Sequence, residues 1–126
     1  MIIKSFELEK IDLKNKKFFL LYGENQGLKN EIIEKKFKIN YSENIYIYEE
    51  NNILNNENSF FNDILSKSFF ENEKLIIINR GSDKLKVIIE EVIEKNIIDL
   101  TIVVNANILE KKSKLRSFFE KNKETV

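Results

Sequence analysis

The chain has 126 residues, enough for one compact domain and too few for two. Hydrophobic residues make up 42% and charged residues 33%, which marks a globular chain and excludes a disordered one. Lysine plus arginine and aspartate plus glutamate each number 21, so no net field draws the chain to nucleic acid or to an acidic membrane.

With no cysteine, a disulfide scaffold and a thiolate metal site are excluded. With no histidine, an imidazole base, a Ser–His triad and a typical zinc site go too, and a metal would have to be a hard ion on carboxylates. No apolar run is long enough to span a bilayer and no signal peptide is evident, so the expected compartment is the cytoplasm. Ile, Asn and Lys are heavily used and Pro is absent, a bias that reads as an AT-rich genome rather than as function.

The first dozen residues fit an amphipathic lead-in helix only loosely, through Phe6, Leu8, Ile11 and Leu13. Phe18–Tyr22 is a continuous apolar run that suits a strand buried on both faces, stopped by Gly23. From Gly27 onward, Leu28, Ile32, Ile33 and Phe37 recur at helical spacing. A phosphate-binding loop would lie at this strand–turn–helix and would read G-x-x-x-x-G-K-[S/T]. Here Gly23 and Gly27 stand one residue too close, Leu28 precedes Lys29, and Asn30 replaces the Mg²⁺-binding hydroxyl. The shape is that of a nucleotide-binding fold with a degenerate loop (Gly23, Gly27, Lys29), so no cofactor is expected.

Ile45–Tyr48 reads as a second strand and Asn51–Asn58 as a polar, mobile loop. Phe60, Phe61, Ile64 and Leu65 mark one face of a short helix with Ser59 as its N-cap. Phe69 and Phe70 follow at its end, framed by Ser66-Lys67-Ser68 and Glu71-Asn72-Glu73. Read from the residues, this pair either enters a partner's pocket or packs under the next strand.

Leu75–Ile78 is the third strand, stopped at Arg80–Gly81, with no carboxylate at its end to hold Mg²⁺. Asp83 is read as the cap of a helix whose stripe is Leu85, Ile88, Ile89, Val92 and Ile93. Glu90, Glu91 and Glu94 form its solvated face. Leu100–Val104 is the fourth strand, and Asn105 is read as a turn residue. Glu110–Lys121 is the last helix, with Leu115, Phe118 and Phe119 inward. Its basic residues Lys111, Lys112, Lys114, Arg116, Lys121 and Lys123 suit a phosphate or partner contact, or a solvated helix face.

Strands alternating with helices predict an α/β fold, a three-layer, mostly parallel sheet flanked by helices in a single domain over 1–126. A receiver-like signalling domain would need acidic residues at the strand ends. Tyr22, Tyr48, Asn79 and Asn105 stand there instead. A small enzyme with a variant phosphate loop is the other reading that the residues leave open.

Three blocks, FFLLYGENQGLKNEII, SKSFFENEKLIIINRGSDKL and DLTIVVNANILEKKSKLRSFFEKN, carry a resemblance in order and spacing. The chain resembles the N-terminal domain of the bacterial DNA polymerase III delta subunit, a clamp-loader family of the AAA+ type. That resemblance implies DNA replication as the process and a domain that binds and opens the sliding clamp without hydrolysing ATP. It makes Phe69 and Phe70, with Ser68, the clamp-binding plug, although Lys67 stands where family members often carry a third apolar residue. It implies the clamp and the other loader subunits as partners, with primed DNA met indirectly through Lys111, Lys112, Lys114 and Arg116. No catalysis is expected of the domain itself, although the assembly it resembles a part of is a polymerase.

Family members continue into a helical lid and an oligomerisation collar, so the chain is expected to be part of a longer protein. The family's sheet order, 5-1-4-3-2, would put residue 126 at the start of a fifth strand and leave the first strand near an open edge. Pairing of two copies through Phe18–Tyr22 is the corresponding expectation.

Overall fold

The apolar runs fold as strands: β1 spans Phe18–Leu21, β2 Ile45–Glu49, β3 Lys74–Gly81 and β4 Leu100–Ala106. The computed structural model describes residues 17–23, 25–38, 44–70, 74–95, 100–109 and 112–121, the side chains of 65–70 and 121 excepted. The expected lead-in helix, the beginning of a fifth strand, Lys111 and Lys123 lie outside the described residues.

The strands lie in the order β1-β4-β3-β2 and every neighbouring pair is parallel. This is the order that the resemblance implied for these four. A parallel sheet needs long crossovers, and the helices supply them. The first, α1 (Gln26–Ile32), runs on as a π-helical turn at Ile33–Phe37. Next come α2 (Glu50–Asn55) and α3 (Glu57–Phe70). A 3₁₀ turn at Asp83–Leu85 leads into α4 (Lys86–Glu94), and α5 covers Lys114–Lys121.

Side chains alternate across a strand, and the sheet accordingly has two apolar faces. On one, Phe19, Leu75, Ile77 and Val103 pack on Ile33 and Phe37 of the first crossover, with the Phe19 and Phe37 rings edge to face at 4.9 Å. On the other, Ile76, Ile78, Ile102 and Val104 meet Ile53, Phe60, Ile64, Ile88, Ile89, Val92, Leu115 and Phe119. All seven residues of β4 are buried. Gly81 ends β3 where a Cβ would collide with the Val104 side chain.

Five local expectations are corrected. The Asn-rich segment is no mobile loop: α2 and the start of α3 occupy it, because Ile53 is only 1% exposed and anchors it to the core. Glu50 adds a second anchor, its carboxylate accepting the Ser82 N–H at 2.9 Å and the Ser82 hydroxyl at 2.8 Å. Asn56, not Ser59, caps α3, its Oδ1 accepting the Ser59 N–H at 3.3 Å.

Asp83 caps a different helix from the one expected. Ser82 caps the turn that begins there, while the Asp83 carboxylate accepts the Ser113 hydroxyl and the Leu115 N–H at the start of α5. That capped start is why the last helix begins at Lys114 and not at Glu110. Asn105 is no turn residue either; it lies within β4, beside Asn79 on one side and Leu21 on the other.

Candidate functional site

The degenerate loop closes on itself. Gly23 sits at φ 125°, a region that only glycine enters freely, and its N–H donates to the Asn107 carbonyl at 3.1 Å. The first turn of α1 is capped by its own chain: Asn25 Oδ1 accepts the Leu28 N–H at 2.9 Å. Lys29 is buried, and its Nζ donates to the Gly23 carbonyl at 2.8 Å and to the Ala106 carbonyl. Burial holds the Lys29 ammonium below its ordinary pKa. The cation that a phosphate loop would aim at its ligand is thus bonded to the turn after β1 and to the end of β4. Gly27 lies in α1 with only the Asn25 side chain near it.

Beside this loop the strand ends carry a polar row. Register places Glu49 of β2 next to Asn79 of β3, and Asn79 next to Asn105 of β4. In-register neighbours share a face and stand about 4.8 Å apart. The three side chains therefore continue, as a polar edge, the apolar face that the first crossover covers. The Asn105 amide donates to Asn79 Oδ1 at 3.4 Å.

Gln26 and Asn30 of α1, bonded to each other at 3.0 Å, lie across a cleft of about 400 Å³ that the row also lines, with Asn107 and Arg80 completing the wall. Asn105 is only 5% exposed, and its Oδ1 meets no donor; nor does Glu49 Oε2. Arg80, at φ 58°, holds its Nε 3.9 Å from that Glu49 oxygen, too far for a hydrogen bond. Among the described residues the site holds five amides, one carboxylate and one guanidinium, a set that suits recognition by hydrogen bonds and includes no nucleophile. Among the described residues no three acidic, histidine or cysteine side chains gather to hold a metal.

The sequence places Asn79 and Asn105 at strand ends, but its apolar run ends the second strand at Tyr48 and leaves out Glu49, with which β2 ends. A signal was present: a polar residue follows each apolar run, at Tyr48-Glu49, Ile78-Asn79 and Val104-Asn105.

Phe69 and Phe70, with Ser68, form the last turn of α3. Their side chains lie outside the described residues. β3 starts at Lys74, so this turn reaches the N-terminal edge of the sheet, opposite the cleft. In the basic segment, Lys112 and Lys114 are exposed and line a groove of about 650 Å³ with Lys86, Glu90 and Glu94 of α4. Glu90 is half-buried and pairs with Lys86 at 2.7 Å, while Glu91 and Glu94 are exposed as expected. Arg116 is turned inward: it binds Glu120 at 2.9 Å and the Leu109 carbonyl at 3.1 Å, and lies over the Tyr22 ring. No helix among the described residues is long and apolar enough to cross a membrane. The chain matches no family model, no curated protein and no solved structure.

Proposed function

We propose that the chain is an AAA+-type domain of the clamp-loader delta kind, which binds and opens a sliding clamp in the cytoplasm and leaves ATP hydrolysis to other subunits. The observation that carries this reading is Lys29. A nucleotide-fold scaffold whose lysine is bonded to the turn after β1 and to the end of β4 has given up the triphosphate and kept the frame. The strand order, identical to that of the four corresponding strands in the family, supports the same reading.

The working surface is the last turn of α3. Phe60 and Ile64 fix the body of that helix in the core, so the turn carrying Ser68, Phe69 and Phe70 is presented on a rigid support. Two adjacent rings seated in a pocket contribute about 2 kcal/mol or more each. Opening follows if the rigid surface fits the open ring better than the closed one, since only differential affinity shifts an equilibrium. Lys112 and Lys114 are the exposed cations available to partner subunits or to the phosphates of primed DNA.

The test is to mix the protein with its cognate clamp on a sizing column. The expected result is a complex with the native sequence and none with Phe69→Ala plus Phe70→Ala, whose thermal melt stays native-like. Unchanged binding by the double variant, or tight Mg·ATP binding by calorimetry, would overturn the reading; collapse of the fold would return the two rings to the core.

A further inference from the structure

The cleft at the strand ends plays no part in clamp binding by α3, which occurs at the other edge of the sheet. It nevertheless has the features of a site. Buried polar groups in native proteins nearly all find partners. Here two buried acceptor oxygens, Asn105 Oδ1 and Glu49 Oε2, have none and belong to residues that line the same cleft, with Asn79 Oδ1 between them held only by a 3.4 Å bond. An acceptor without a donor asks for N–H or O–H groups from outside.

The charge selects further. Among the described residues Glu49 is the only carboxylate in the lining, and Lys29 spends its donors on carbonyls, so a phosphate would meet a repelling group and, of the cations, only the exposed Arg80. A divalent metal would find a single carboxylate, too few charged ligands for a stable site. An ammonium converges its three donors on one point, whereas the acceptors here are strung along a row at strand spacing. A guanidinium carries five N–H donors in a flat fork that pairs with a carboxylate on one edge and reaches a neighbouring amide oxygen on the other. The cleft, at about 400 Å³, has room for that group and its alkyl stem.

We propose that this cleft binds a guanidinium group, carried either by a small molecule or by an arginine side chain of another protein. Glu49 supplies the charge-assisted pair, Asn105 and Asn79 the neutral acceptors, and Gln26 and Asn30 the opposite wall. Arg80 is 83% exposed at its side chain and already has a guanidinium near Glu49. It is the native competitor that a ligand displaces.

The experiment follows the side-chain amide signals of Asn79 and Asn105 by NMR while agmatine, butylamine, a short arginine-containing peptide and its lysine counterpart are added in turn. Agmatine or the arginine peptide is expected to shift both signals saturably, and butylamine and the lysine peptide are not. Tighter binding of agmatine than of the peptide assigns the site to a small molecule, and the reverse order assigns it to a protein partner. Glu49→Gln, a change at a half-exposed position, is expected to weaken binding about tenfold with an unchanged melt, and Arg80→Ala to strengthen it. Equal response to the amine and guanidinium probes, no response to either, or the same shifts with Mg·ATP would each overturn the proposal. Clamp binding is read on a different surface, so either proposal can fail without the other.

Discussion

Lys29 acts as a structural joint between two parts of the fold. Its two carbonyl partners tie the turn after β1 to the end of β4. Methionine keeps the stem and loses both bonds, so Lys29→Met is expected to destabilise the fold by about 1–3 kcal/mol in chemical denaturation at neutral pH. The pH dependence has a definite sign. Burial lowers the folded-state pKa below the ordinary 10.5. Between the lowered value and 10.5 the unfolded chain holds more protons, so stability rises with pH across that window. Below it the desolvation cost is present in full. The gap between native protein and Lys29→Met should widen as alkali relieves the cost, and a gap that narrows would show that the positive charge itself is needed. The sequence showed that no complete phosphate motif surrounds Lys29. It could not show where the lysine had gone, because Ala106 lies 77 positions away.

At the scale of elements, apolar runs were legible and polar ones were not. Each strand is a block of β-branched, leucine or aromatic residues, and burial on both faces of a parallel sheet demands that pattern. The segment after β2 misled because its composition is mostly asparagine, although one isoleucine decides its fate. Ile53→Ala is expected to cost about 2–5 kcal/mol, whereas Asn51→Ala and Asn52→Ala, on the exposed side, should stay within about 0.5 kcal/mol. Similar small losses for all three would mean that α2 is not docked.

The cap at Asp83 was misassigned for a related reason: a cap is usually sought on the next helix, and this one serves a helix 32 positions away. Asp83→Ala is expected to cost about 1 kcal/mol at neutral pH through the lost start of α5. The Ser113 hydroxyl first, and then the Leu115 N–H, hold the Asp83 carboxyl below its ordinary 3.8. The contribution is therefore complete above the unfolded value and fades as pH falls through the folded one. Thermal melts of native and variant protein should differ at neutral pH and converge in acid.

Across the whole molecule, the fold class followed from alternation of strands and helices, while the cleft did not, because register between strands 26 residues apart made it. The same register predicts how the molecule opens. β3 and β4 each have a partner on both sides, and Lys74–Ile78 and all of β4 are buried. β2 has one partner, and its central Ile47 is 57% exposed. Amides exchange by local opening where burial and pairing are weakest. Hydrogen exchange should therefore be slowest at Leu75–Ile78 and Thr101–Val104, and faster in β2. β1 is the decisive strand. Among the described residues it pairs with β4 alone, yet Phe18, Phe19 and Leu20 are buried by the helices above and below. With its outer edge open, amides of β1 directed away from β4 should exchange much faster than those bonded to it. Protection of both sets equal to that of β4, independent of protein concentration, would mean that this chain covers its own edge. Protection that grows with concentration would mean that a second copy does.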